Sequence, residues 1–82
     1  MIKTKYEAID SYYDDGNELF LARMGRYDTL EEAKVQIIKC ASSYRADSFS
    51  VDIYNDSNGM IAEVCNANRE HWLYTKKISV AV

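Results

Sequence analysis

One stretch of the chain, from Thr29 to about Tyr44, repeats its apolar residues every three or four positions, whereas the flanking segments alternate or run in short apolar blocks. That contrast sets the fold class, because one helix among strands must bury its stripe against a sheet. Leu30, Ala33, Ile37, Ala41 and Tyr44 form the stripe and Ile38 widens it, with Glu31, Gln36, Lys39 and Ser42 mostly on the other side. The start is marked by Asp28-Thr29-Leu30-Glu31-Glu32. Thr29 is placed to cap the Glu32 N–H while the Glu32 carboxylate reaches back, and both glutamates complement the positive helix end.

Strand signals lie on both sides. Asp14-Asp15-Gly16-Asn17 is turn chemistry, since glycine supplies positive φ and Asp or Asn tolerates it. It predicts a hairpin of Tyr6 to Tyr13 and Glu18 to Tyr27, whose second strand has apolar residues on both faces and is expected near the centre of the sheet. After the helix, Phe49, Val51 and Ile53 alternate with Ser48, Ser50, Asp52 and Tyr54. Asn55-Asp56-Ser57-Asn58-Gly59 then turns the chain into Met60 to Cys65. Asn66 to His71 reads as a polar loop, and Trp72 to Val82 as a short fifth strand built on Ile78, Val80 and Val82. The expected fold is therefore α+β: a small antiparallel sheet of four or five strands with one amphipathic helix on one face, in the order ββαββ(β). The 82 residues suffice for one domain, 1–82, too small for an enclosed pocket, which favours a flat or convex working surface.

Composition narrows the function classes. A net charge of −3 and a pI near 5.0 argue against duplex binding, which depends on Lys and Arg neutralising phosphates. No apolar run is long enough to span a bilayer, and Met1-Ile2-Lys3-Thr4-Lys5-Tyr6-Glu7 lacks the apolar core of a secretion signal, so a cytoplasmic location without membrane contact is expected. Cys40 and Cys65 lack the spacing of zinc or redox motifs and read as two buried free thiols.

No reaction is legible. The one histidine, His71, falls beside Trp72 in the expected loop, and neither cysteine has an electropositive setting that would activate it. Asp56-Ser57-Asn58-Gly59 lacks the alternating acids and distal Glu of a calcium loop, and no phosphate-cradling glycine motif is present. The chain is expected to be no enzyme and to need no cofactor or metal.

Seven tyrosines and an uneven charge distribution point instead to binding. Glu7, Asp10, Asp14, Asp15 and Glu18 follow one another with no base among them, as do Asp47, Asp52, Asp56 and Glu63. Tyr12 and Tyr13 adjoin the first acidic turn and Tyr54 the second. Phenol rings fill pockets and stack on arginine while carboxylates engage guanidinium groups, so such a surface suits a basic protein groove. Tyr12, Tyr13, Asp14, Asp15, Asp52, Tyr54 and Asp56 are the expected partner-binding residues, brought together by the two turns.

The capped helix start Tyr27-Asp28-Thr29-Leu30-Glu31-Glu32-Ala33 and the hairpin Asp56-Ser57-Asn58-Gly59-Met60-Ile61-Ala62, in a short, acidic, tyrosine-rich and cysteine-poor chain, resemble the format of phage and mobile-element anti-CRISPR proteins. The resemblance spans the whole chain, rests on format and transfers no residue by motif. It implies a phage-type inhibitor in the host cytoplasm that blocks a basic nucleic-acid-binding groove of an effector, such as a Cas protein, without itself binding nucleic acid. The moderate acidity favours local blocking over wholesale DNA mimicry. The alternative is a homo-oligomeric structural module whose exposed edge strand pairs with a second copy, giving a homodimer.

Overall fold

The computed structural model describes residues 1–14, 17–67 and 69–82, apart from the side chains of 13, 14 and 17–21. The elements are β1 (Ile2–Asp14), β2 (Asn17–Tyr27), α1 (Leu30–Ala46), β3 (Ser50–Asp56), β4 (Gly59–Cys65) and β5 (Glu70–Ala81). They make an α+β fold with one five-stranded antiparallel sheet, ordered β2-β1-β5-β4-β3.

The order ββαββ(β) needs correction in its last term. The optional fifth strand is a twelve-residue strand in the middle of the sheet, paired with β1 from Ile2↔Ala81 to Tyr13↔Glu70. It takes the second edge of β1, so β2 is left outermost and is not the central strand its apolar pattern suggested. His71 and Trp72 belong to β5 and not to a loop. The adjacent lysines 76 and 77 interrupt the alternation in this segment, which made it look short.

Helix α1 forms where expected. Thr29 Oγ1 accepts the Glu32 N–H at 3.2 Å, but the Glu32 carboxylate turns to the Thr29 hydroxyl at 3.0 Å, in place of the backbone N–H. The stripe buries Ala33, Ile37 and Ala41 against Ala8 of β1, Met60, Ala62 and Val64 of β4, and Leu73 of β5. Ile38 is exposed, and Cys40 and Tyr44 pack at the side of the stripe instead.

Cross-strand pairs share a face, so register and burial together sort the sheet into two surfaces. The helix-covered face carries Ala8, Asp10 and Tyr12, His71, Leu73 and Thr75, Met60, Ala62 and Val64, then Val51 and Ile53. The outer face carries Ile9 and Ser11, Trp72 and Tyr74, Ile61 and Glu63, then Asp52, Tyr54 and Asp56. On this face Glu7, Ile9 and Ser11 of β1 are buried, whereas Asp52, Tyr54 and Asp56 of β3 are exposed. At the β3–β4 turn, Gly59 has φ +136° and a Cβ there would run into Thr75 Oγ1, so the backbone of β4 closes on β5 only with glycine. The molecule is elongated, with extents of 46 × 23 × 20 Å, because the β1–β5 ribbon runs past the ends of β2 and β4.

Candidate functional site

The seven sequence-derived binding residues do not share one surface. Asp52, Tyr54 and Asp56 lie together on edge strand β3, all exposed and all on the outer face. Tyr12 lies on the opposite face, three strands away, half-buried with its ring 5.4 Å from the His71 ring and Arg69 placed 5.4 Å from its own centroid. The two tyrosines are separated by strand pairing: β5 and β4 lie between their strands, and the register places them on opposite faces. The Tyr13 and Asp14 side chains and Asp15 fall outside the described residues.

What the fold assembles around β3 includes groups from its neighbours. Asp52 stands directly opposite Glu63, a like-charge pair that weakens the sheet at that point. Glu63 in turn stands opposite Trp72 on β5, and the Trp72 indole N–H donates to Glu70 Oε1 at 2.8 Å. The Tyr54 hydroxyl donates to Glu63 Oε1 at 3.0 Å. That hydrogen bond, followed by burial and the charges of Glu63, Asp56 and Asp52, raises the Tyr54 phenol above its ordinary pKa. Asp56 Oδ1 accepts the Asn58 N–H at 2.8 Å, so one of its oxygens closes the turn and the other remains available. In the next row Tyr54, Ile61, Tyr74 and Ile9 lie side by side across four strands. The outcome is a surface of rings bordered by carboxylates. Glu63, Glu70 and Trp72 were missed as members because their partners depend on β4–β5 register; the alternation that sets Glu63 apart from Met60, Ala62 and Val64 was the available signal.

A second polar cluster lies under the helix. His71 is buried, and its Nδ1 is 2.9 Å from Asp10 Oδ1, while the Tyr44 hydroxyl donates to Asp10 Oδ2 at 2.7 Å. The carboxylate and the Tyr44 hydroxyl thereby fix the orientation of the ring through its Nδ1 side. Among the described residues Nε2 has no hydrogen-bond partner, and it has essentially no accessible surface. Burial, and then the hydrogen bond and charge of Asp10, push the Tyr44 phenol well above its usual value. Burial and then the charge of Asp10 likewise raise the Cys40 thiol above its usual value. Cys65, expected to be buried, is exposed at the end of β4, and both thiols are free. Rings of Tyr12, Tyr44 and Phe49 enclose the imidazole. This arrangement orders the core at the side of the helix.

Among the described residues no three His, Cys, Asp or Glu side chains converge to hold a metal ion, and no helix is long and apolar enough to cross a membrane. No protein-family model matches the chain, and comparison with curated proteins and with solved structures gives no significant match.

Proposed function

We propose that this chain is a non-enzymatic protein-binding module that docks on a basic partner through Asp52, Tyr54, Asp56, Glu63 and Trp72. In the form implied by the anti-CRISPR resemblance, the partner is the nucleic-acid-binding groove of a host effector such as a Cas protein, and docking inhibits by occupying it. The observation that carries the reading is the direct opposition of Asp52 and Glu63 beside the exposed Tyr54 ring and the half-buried Trp72. Two like charges facing each other cost stability in the free protein, and a guanidinium or ammonium group placed between them removes that cost on binding. Tyr54 and Trp72 supply apolar area next to the charges, the residue types that dominate binding energy at interfaces. Burial of the Nε2 atom of His71 and the raised Cys40 pKa favour a binding role over catalysis.

The test is kinetic. Association with purified Cas effectors is followed by surface plasmon resonance at low and at physiological salt, with wild type against Asp52→Lys combined with Glu63→Lys. Charge reversal slows association by roughly tenfold at low salt and flattens its salt dependence, as steering by a local field requires. Equal rates for the two proteins reject this surface, and no binding by any effector rejects the anti-CRISPR form.

A further inference from the structure

The two ends of the chain form a ribbon that leaves the body of the molecule. β1 pairs with β2 only from Tyr6 onward, and β5 pairs with β4 only through Glu70–Tyr74. Beyond these points Ile2–Lys5 and Lys77–Ala81 pair with each other alone. A two-stranded ribbon is marginal by itself, and its outer edges present unpaired N–H and C=O groups. This ribbon also carries apolar residues: Ile2 is 72% and Val82 69% exposed, with Ile78 and Val80 half-buried between them.

We propose that the Lys77–Ala81 segment of β5 pairs antiparallel with the same segment of a second copy, on a two-fold axis through Ser79, joining the two sheets. The hydrogen-bond phase selects that axis. The Val82 N–H donates to Met1 O at 3.0 Å, so Val82 directs its polar backbone groups toward β1. In an antiparallel ladder the direction alternates, so Val80 and Ile78 also face β1, whereas Ala81, Ser79 and Lys77 face the open edge. Centring on Ser79 makes Ser79 bond its counterpart and Lys77 bond Ala81 of the partner subunit, for about six backbone hydrogen bonds in all. Ile78 then falls opposite Val80 of the partner subunit in the closely spaced, non-bonded position, where β-branched pairs pack best.

Charge separates this edge from β3 and from the Ile2–Lys5 edge. The same operation on β3, where Asp52 and Tyr54 bond toward β4 and Val51, Ile53 and Asn55 face the open edge, centres on Ile53 and leaves Asp52 of the two copies only ~7 Å apart along the strand on one face, acid near acid. On Ile2–Lys5 it crowds Lys3 and Lys5 of both copies, and these side chains already hold Asp28. On β5, Lys77 and its counterpart are ~13 Å apart along the strand, beyond the ~8 Å screening length at physiological salt. Self-pairing thus suits β5, and β3 is left to a basic partner of a different kind.

The experiment is sedimentation velocity of the full chain from micromolar to millimolar concentration. Wild type shows a concentration-dependent dimer. Ser79→Pro deletes only an outward-facing N–H, the one setting in which a strand accommodates proline, and weakens dimerisation by about tenfold or more. Ser79 is exposed, so Ser79→Lys and Ser79→Glu leave the monomer folded, as circular dichroism checks. Each of these two variants alone places like charges across the axis and shifts toward monomer, and an equimolar mixture regains the dimer. Wild type that stays monomeric through millimolar concentration overturns the proposal. So do Lys and Glu variants that dimerise singly as well as wild type.

Discussion

Glu7 and Asp10 lie three residues apart on β1, yet point to opposite faces and do different work. Asp10 is held under the helix by Tyr44 and His71, whereas Glu7 is buried on the outer side with Arg23 at 2.9 Å and Arg26 at 3.3 Å. Burial raises the Glu7 carboxyl, and the hydrogen bonds and charges of the two arginines outweigh it, leaving the pKa below its usual 4.5. A carboxyl depressed in the folded state adds stability that is fully present above its unfolded pKa and is lost as pH falls through the folded one. Thermal unfolding followed by circular dichroism should therefore show a lower midpoint for Glu7→Gln at neutral pH and a smaller further loss on acidification than for wild type. Parallel acid limbs for the two proteins would remove Glu7 from this role. None of these pairings was legible beforehand. The acids of β1 were visible as a charge run, but which ones meet arginines and which meet an imidazole depends on strands and a helix far away in the chain. For the same reason His71 was misplaced: its neighbours in sequence are polar, and only β1 and α1 bury it.

At the scale of the element, local chemistry was a good guide wherever the determinant was itself local. Helix α1 begins at the cap that the Thr29–Glu32 spacing announces, and Asp56 closes the β3–β4 turn through its own side chain. Thr29→Ala removes the cap and should lower stability by about 1 kcal/mol in urea unfolding, with the denaturant slope unchanged because the exposed area is the same. A loss near zero would mean that water or a neighbouring residue replaces the cap. The strands were harder to bound. β1 starts four residues before its expected start, at Ile2, because β5 offers its early residues a partner, and β5 itself looked weak because Lys76 and Lys77 fall where it passes beyond the helix and is no longer covered. Three of the five residues of the proposed binding surface were legible on the same grounds. Asp52, Tyr54 and Asp56 alternate along one strand and so must share a face. Adding Tyr12 required knowing how two hairpins sit relative to each other, which alternation does not contain.

For the whole molecule, the decisive feature is that the sheet is closed by its first and last strands. β1 and β5 pair at the middle of the sheet, with β2 outward on one side, the β3–β4 hairpin on the other and α1 across the seam. Neither the β1–β2 nor the β3–β4 hairpin has a complete core without that pairing, so unfolding should be a single transition. Trp72 fluorescence, which reports β5, and far-ultraviolet circular dichroism, which reports α1, should coincide in urea. Separated midpoints would show that the hairpins hold structure independently. A sheet whose centre joins distant segments must close a long loop before it gains contacts, and that closure leaves no trace in any short window of residues. The amino-acid sequence by itself determined the helix start, the β3–β4 turn and the alternation of β3, because these rest on interactions within a few residues. The tertiary structure alone decided which strands are central, which faces are covered and which acids meet which rings, because strand pairing is non-local and backbone hydrogen bonds are the same for every partner; only the combined burial of both faces selects among them.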